Sequence, residues 1–387
     1  MKGHLVERSP GHWAIVIDVR DPATGKRKRR WHSFAGTKRA AQTRAAELIA
    51  AAQGGGAVDP QRLTVAEFLD RYLADYVEVN VAPSTAQTYR DMLVHVRRHL
   101  GSRPLQKLRP DELQAMYAAI TRSGLAPRTV RHVHMVFSQA LKQAKTWRLV
   151  RDNVAEAVKP PPVPGKELPI LQPEQARKLL DQMRDRPLYL FASIALKTGL
   201  RRGEILGLRW CDLNLDAGRL HVEQALEETL TRGVRVKAPK TRAGRRIITL
   251  SPDLVAELRA HWRGQQEQRL QQGLGRASPD SPVLATPDGG WLRPVLVSMQ
   301  WPRAMRAIGM PGVTIHSLRH THASTLIASG MDILSVSRRL GHGSPTITLC
   351  TYGHMIHGTD EKAATIIGQA FGSNWVANSG KTPHVPG

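Results

Sequence analysis

Residues 198–208, TGLRRGEILGL, put Arg201 and Glu204 three positions apart, on one face of a helix. Seen alone, that spacing is also what an ordinary surface ion pair gives. Two later stretches change its weight. Residues 315–320, IHSLRH, repeat the spacing with His316 and Arg319. Residues 338–343, RRLGHG, read as a helix stopped by Gly341 with His342 at the stop, and Tyr352 follows ten positions later in LCTYG. Between these lies PKTRAGRR, residues 239–246, with Lys240 beside a strand turn and Lys237 three residues before it.

Two arginines, two histidines, a lysine and a tyrosine suit one reaction. Breaking a phosphodiester without a metal needs a nucleophile, cations on the non-bridging oxygens and an acid for the departing 5′ oxygen. The guanidinium fork clamps two phosphate oxygens and stays charged. Histidine exchanges protons near neutral pH. A tyrosine hydroxyl, with a pKa of about 10, attacks only beside a base and strong positive potential. Lysine protonates a leaving oxygen when neighbouring cations lower its pKa.

In this order the residues resemble the tyrosine site-specific recombinase, or phage integrase, family. The motifs are TGLRRGEILGL, PKTRAGRR, HSLRHTHAS and LGHGSPTITLCTY, and the family's order R…K…HxxR…H/W…Y is met without a missing member. The resemblance implies that Arg201 and Arg319 clamp the scissile phosphate and that His342 hydrogen-bonds it. It makes Lys240 the general acid, with Lys237 the alternative. His316 would assist proton movement at the nucleophile, Glu204 would support by orienting its neighbours, and Tyr352 would form a 3′-phosphotyrosyl link. The implied activity is metal-independent integration and excision of a phage or other mobile element, with no cofactor. Its implied partners are double-stranded DNA attachment sites, three further copies of the chain on DNA, and possible excisionase and DNA-bending proteins.

Composition agrees with a polyanionic partner. The 387 residues carry 56 Lys plus Arg against 32 Asp plus Glu, a net charge of +24, and each phosphate neutralised releases a counterion. The length predicts two or three domains. The two cysteines, Cys211 and Cys350, form no CxxC pattern, which predicts a reducing, cytoplasmic setting. Neither a signal peptide nor an apolar run of about 20 residues is evident, so no membrane association is expected. His316 and His320 have i,i+4 ligand spacing, but no Cys pair or HExxH glutamate joins them, which argues against zinc.

Working outward, the expected architecture is multidomain. Residues 166–370 form a mainly α catalytic domain with a small antiparallel β-sheet and end in a flexible tail, 371–387. Residues 62–160 read as an all-α, SAM-like helical bundle for core-site DNA. Thr64-Val65-Ala66-Glu67 is a capping box, later helices begin at Pro83, Asp111 and Pro127, and Arg128 is a candidate DNA contact. Lys159-Pro160-Pro161-Pro162-Val163-Pro164-Gly165 is a stiff linker. Residues 1–58 form a small α+β domain, a strand pair backed by a helix from Lys38 to Ala52 and a linker at Gly54–Gly56. Its basic run, Lys26, Arg27, Lys28, Arg29 and Arg30, reads as an arm-site DNA ribbon, with a solvated edge strand as the alternative.

Three other readings remain: a type IB-like topoisomerase, a catalytically silent DNA-binding regulator, and a metal-dependent transposase. The regulator is disfavoured because Tyr352 and both arginines are present. The transposase would need a carboxylate triad. The segment after Tyr352 carries Ala364, Ile367 and Phe371 at helical spacing. It either docks on a neighbouring copy or packs on its own domain.

Overall fold

The computed structural model describes residues 3–20, 27–53, 63–164, 169–239, 242–353 and 359–371. The chain divides into two compact units, Met1–Gly165 and Lys166–Gly387. Lys159–Pro164, expected to be an extended linker, has neither helix nor strand. The Gly54–Gly56 linker, Lys240 and the tail beyond Phe371 lie outside the described residues.

The first unit opens with an antiparallel sheet of three strands, β1 (Gly3–Ser9), β2 (His12–Arg20) and β3 (Arg27–Ala35), in that order. The expected strand pair therefore gains a partner. Residues 3–9, GHLVERS, are exposed throughout except for Leu5, so they offer no apolar alternation by which to recognise a strand. The central strand buries Trp13 through Ile17, and α1 (Lys38–Gln53), begun by the Thr37 hydroxyl accepting from Ala40 N–H, packs on β1 and β2.

The same unit holds a helical bundle. Its helices are α2 (Val65–Arg71), continued by a π-helical turn at Tyr72–Val77 into α3 (Glu78–Asn80), then α4 (Pro83–Leu100), α5 (Pro110–Arg122) and α6 (Pro127–Thr146). The Thr64–Glu67 capping box forms as its spacing predicts. Phe68, Tyr72, Leu113, Tyr117, Val133 and Phe137 share its core.

The second unit begins with α7 (Pro173–Met183), the nearly all-buried α8 (Tyr189–Thr198) and the short α9 (Arg202–Leu206). Two small antiparallel sheets follow. One contains β4 (Leu213–Asn214), β5 (Arg219–Val222) and β8 (Arg246–Thr249). The other is a hairpin of β6 (Ala225–Thr229) and β7 (Gly233–Lys237). After these come α10 (Pro252–Gln271), α11 (Pro294–Ala307), α12 (Ile315–Ala328), α13 (Ile333–Leu340), α14 (Pro345–Tyr352) and α15 (Thr359–Phe371). Helix α10 runs well past its buried residues Leu254 and Leu258, and α11 proceeds through Pro302. No helix among the described residues is long and apolar enough to cross a membrane.

Helices α8 and α12 pack side by side at the centre. Helix α8 ends at Gly199, whose left-handed φ of 69° turns the chain into Arg201. A Cβ on Gly199 would lie 2.6 Å from His322 Cδ2 and 2.9 Å from Leu340 Cδ2. Replacing Gly199 with Ala should therefore cost about 2 kcal/mol or more and lower the Tm of this unit by several degrees, measured by thermal unfolding.

Candidate active site

The site is assembled at the end of α13. Gly341 takes φ 68° and stops that helix, as the sequence predicts, leaving its last carbonyls without intrahelical partners. Arg319, on α12, donates from Nη2 to Leu340 O at 2.8 Å and from Nη1 to Gly199 O at 2.7 Å. Arg201, at the start of α9, donates from Nη2 to the next carbonyl, Gly341 O, at 3.0 Å. Two guanidiniums are thus pinned to adjacent carbonyls, and His342 is the next residue. Arg319 is only 3% exposed. Burial, and then the charge of Arg201, lower its pKa to about 9, still charged at neutral pH.

Glu204 holds the second layer. It is 4% exposed and takes hydrogen bonds from Arg201 N at 2.9 Å, Arg201 Nη1 at 2.8 Å and Arg246 Nη2 at 2.9 Å. Burial opposes its charge, but the bonds and charges of Arg246 and Arg201 prevail and hold its pKa below 4.5. The pair at 201 and 204 is therefore no surface ion pair. Arg246, on β8, also donates to Arg339 O at 2.7 Å and so ties strand to helix. Arg339 Nε donates to His322 Nε2 at 3.1 Å, while His322 Nδ1 lies 2.8 Å from Leu196 O. Burial first and Arg339 second push His322 to about 4, so it is neutral, with its hydrogen on Nδ1.

Tyr352, the last residue of α14, is 2% exposed and packs with Ala323, Ile327, Val336 and Leu340. Its hydroxyl lies 2.5 Å from Nδ1 of His320. Burial raises the Tyr352 pKa to about 12 against the opposing charge of Arg319, so the phenol keeps its proton. His316, the histidine expected beside the nucleophile, is exposed and packs edge-on against His320, with ring centroids 4.6 Å apart. His342 Nδ1 lies 2.7 Å from Thr348 Oγ1. A cleft of roughly 540 Å3 opens beside Arg201, His316 and Arg319, over Trp301, Pro302 and Val313.

The structure therefore brings Arg201, Glu204, Arg319, His342 and Tyr352 into one neighbourhood, with His316 at its cleft side. Lys240 falls outside the described residues. The alternative lysine, Lys237, bonds Glu227 Oε1 at 2.6 Å. Sequence reasoning missed Arg246 and Arg339 and did not assign His320, because their partners stand far along the chain. Of the candidate arm-site residues, Lys26 lies outside the described residues. Positions 27–30 lie on β3 opposite 17–20 of β2, and Arg29 pairs with Asp18 at 3.5 Å. Arg128 is exposed in the first turn of α6.

Glu204→Gln would leave Arg246 buried without its anion and should cost about 3 kcal/mol at neutral pH. Because the native Glu204 pKa is depressed, its stabilisation is present above the unfolded value of about 4.5 and is lost as pH falls through the native value. The Tm gap between wild type and variant should accordingly narrow in acid, which a pH series of thermal melts would read.

Two family descriptions match the chain: the phage integrase family over residues 169–357, and the phage integrase N-terminal SAM-like domain over residues 64–120. The tyrosine recombinase XerC-like protein of Caldanaerobacter subterraneus subsp. tengcongensis is 22% identical over 391 residues, covering 96% of this chain and 99% of its own length. The ICEBs1 integrase of Bacillus subtilis is 25% identical over 338 residues, covering 87% and 90%. Among solved structures, the Tn1549 transposon integrase in complex with a circular intermediate DNA superposes with a TM-score of 0.66 at 19% identity, over 80% of this chain and 99% of that one. A lambda integrase tetramer bound to a Holliday junction gives 0.54 at 21%, over 90% and 94%. The fold is that of these integrases, multidomain and mostly helical with small antiparallel sheets, and the chain is a tyrosine recombinase of the phage integrase family.

Proposed function

We infer that this chain is a site-specific DNA recombinase that cuts and rejoins strands through Tyr352, integrating and excising a mobile element. One observation carries the assignment of roles: Arg201 and Arg319 are held on the adjacent carbonyls of Gly341 and Leu340, at the helix end that also presents His342. Guanidiniums fixed this way meet a phosphate without having to be ordered first. Tyr352 attacks phosphorus, the bond to the 5′ oxygen breaks, and that oxygen takes a proton from the general acid. Lys240 fills this role by its place in the PKT pattern, and the engagement of Lys237 by Glu227 supports the choice. Reversal, with a 5′ hydroxyl from another duplex, completes exchange. His342 adds a hydrogen bond to the phosphate, and Glu204 orients Arg201.

The helical bundle, with Arg128 on its surface, would grip the core site, and the N-terminal sheet would reach distal arm sites through its basic β3 edge. Integration and excision in the cytoplasm, with an excisionase and a DNA-bending protein as possible partners, complete this reading. Tyr352→Phe should abolish the covalent adduct on nicked suicide duplexes while DNA affinity stays within a few fold. Arg201→Lys and Arg319→Lys should each slow cleavage about 10²–10³-fold, because a point cation cannot reproduce the fork. Cleavage should persist in EDTA. An adduct with Tyr352→Phe, or near-normal turnover with either lysine, would overturn the assignment.

Four strand cuts at one nucleophile per protomer call for a tetramer on DNA. Helix α15 supports docking in trans, since Ala364 is exposed and Ile367 and Phe371 are 56% and 79% exposed. Ending the chain after residue 358 should leave cleavage of single sites intact and remove cooperative synapsis, read by gel shift and crosslinking. Insoluble or unfolded protein would instead mean that α15 packs on its own domain.

A further inference from the structure

We propose that His320, and not His316, is the group that takes the proton from Tyr352 during strand cleavage. The proposal rests on the reading of Tyr352 as nucleophile. Helices α12 and α14 meet so that His320 Nδ1 stands 2.5 Å from the tyrosine hydroxyl, with both side chains buried. His316, one turn earlier on α12, is exposed and lines the cleft with Arg201 and Arg319. Its place suits contact with bound phosphate. A base has to be within hydrogen-bond reach of the proton it removes, and among the described residues His320 has that contact with Tyr352.

The charged and titratable groups around His320 explain why the pair is quiet at rest. Within α12 it faces His316 and Arg319, Tyr352 approaches from α14, and His342, just before that helix, lies close enough to interact with it electrostatically. Burial, then His316, then Arg319 lower its pKa to about 4. A phosphodiester seated between Arg201 and Arg319 brings negative charge beside those cations and raises the basicity of His320 when substrate is in place. The atoms balance. The phenol proton moves to Nδ1 as the tyrosine oxygen bonds phosphorus. The electrons of the broken P–O bond go to the 5′ oxygen, which is protonated by the general acid. On rejoining, the tyrosine oxygen leaves and recovers its proton from the imidazolium.

The test uses the full-length protein and a nicked suicide duplex captured covalently by wild type from a randomised library. Single-turnover cleavage is followed between about pH 5.5 and about pH 9. His320→Asn keeps an amide beside the phenol but cannot accept its proton. It should cleave about 100-fold more slowly and lose the rising acid limb of the wild-type profile, with DNA affinity and Tm unchanged. His316→Asn should slow cleavage yet keep that limb. If His320→Asn does not fold, His320→Ala with added imidazole decides, and rescue that tracks the free-base concentration is the expected result. Wild-type rate and profile in His320→Asn, or no rescue of His320→Ala, would overturn the proposal. The reading beneath it fails separately, since only an adduct formed by Tyr352→Phe would remove Tyr352 as nucleophile.

Discussion

The carbonyls of Leu340 and Gly341 are the point on which the candidate site of the second unit depends. A helix C-terminus concentrates partial negative charge and unpaired acceptors, and α13 turns both toward two arginines that would otherwise repel each other. Arg319 reaches Leu340 from α12 and Arg201 reaches Gly341 from α9, far earlier in the chain, so both helices are fixed to the end of α13 by two hydrogen bonds. The left-handed turn at Gly341 then sends the chain straight into His342 and α14, which delivers Tyr352. A non-glycine residue at 341 would meet strain in φ and would press on the Arg246 guanidinium, 2.6 Å from the added Cβ.

Behind that junction the polar groups form a continuous, buried framework. Glu204 joins Arg201 to Arg246, Arg246 joins β8 to the carbonyl of Arg339, and Arg339 joins α13 to His322 and α8. Buried ion pairs of this kind add little net stability, because desolvation offsets most of the Coulomb gain, but breaking one is costly. Their effect here is geometric, since the arginine forks allow few arrangements. The small sheet therefore takes part in the site although it contributes no group expected to touch DNA.

Local signals in the sequence carried much of this. The capping box at Thr64 and Glu67, the stop at Gly341 and the apolar spacing of α6 all depend on residues within a turn or two of one another. Arg201, His316, Arg319, His342 and Tyr352 were equally legible as candidates, because phosphodiester chemistry calls for those residue types and the family resemblance supplies their order. What escaped depends on distance along the chain. Arg246 looks like one more basic residue in GRR until Glu204, 42 positions away, is placed beside it. His320 is an unremarkable member of a histidine-rich run until Tyr352 folds back onto it. The β6–β7 hairpin has acids at Glu227 and Glu228 where an apolar alternation would be sought, and these are satisfied by Arg235, Lys237 and Arg293. Helix α11 is obscured by Pro302.

With Tyr352 as the proposed nucleophile, its packing among Ala323, Val336 and Leu340 would separate binding from cutting. A net charge of +24 favours binding to any duplex, and most DNA in a cell would not be the target. On the proposed reading of Tyr352 as nucleophile, presenting the phenol together with its His320 partner to phosphorus would loosen a well-filled apolar seat, with the work drawn from contacts that only a correct site supplies in full. Occupancy alone would then do no damage, because a duplex held by electrostatics would leave the tyrosine seated. Discrimination would fall on the rate of release rather than on affinity, letting the protein search a chromosome without scarring it.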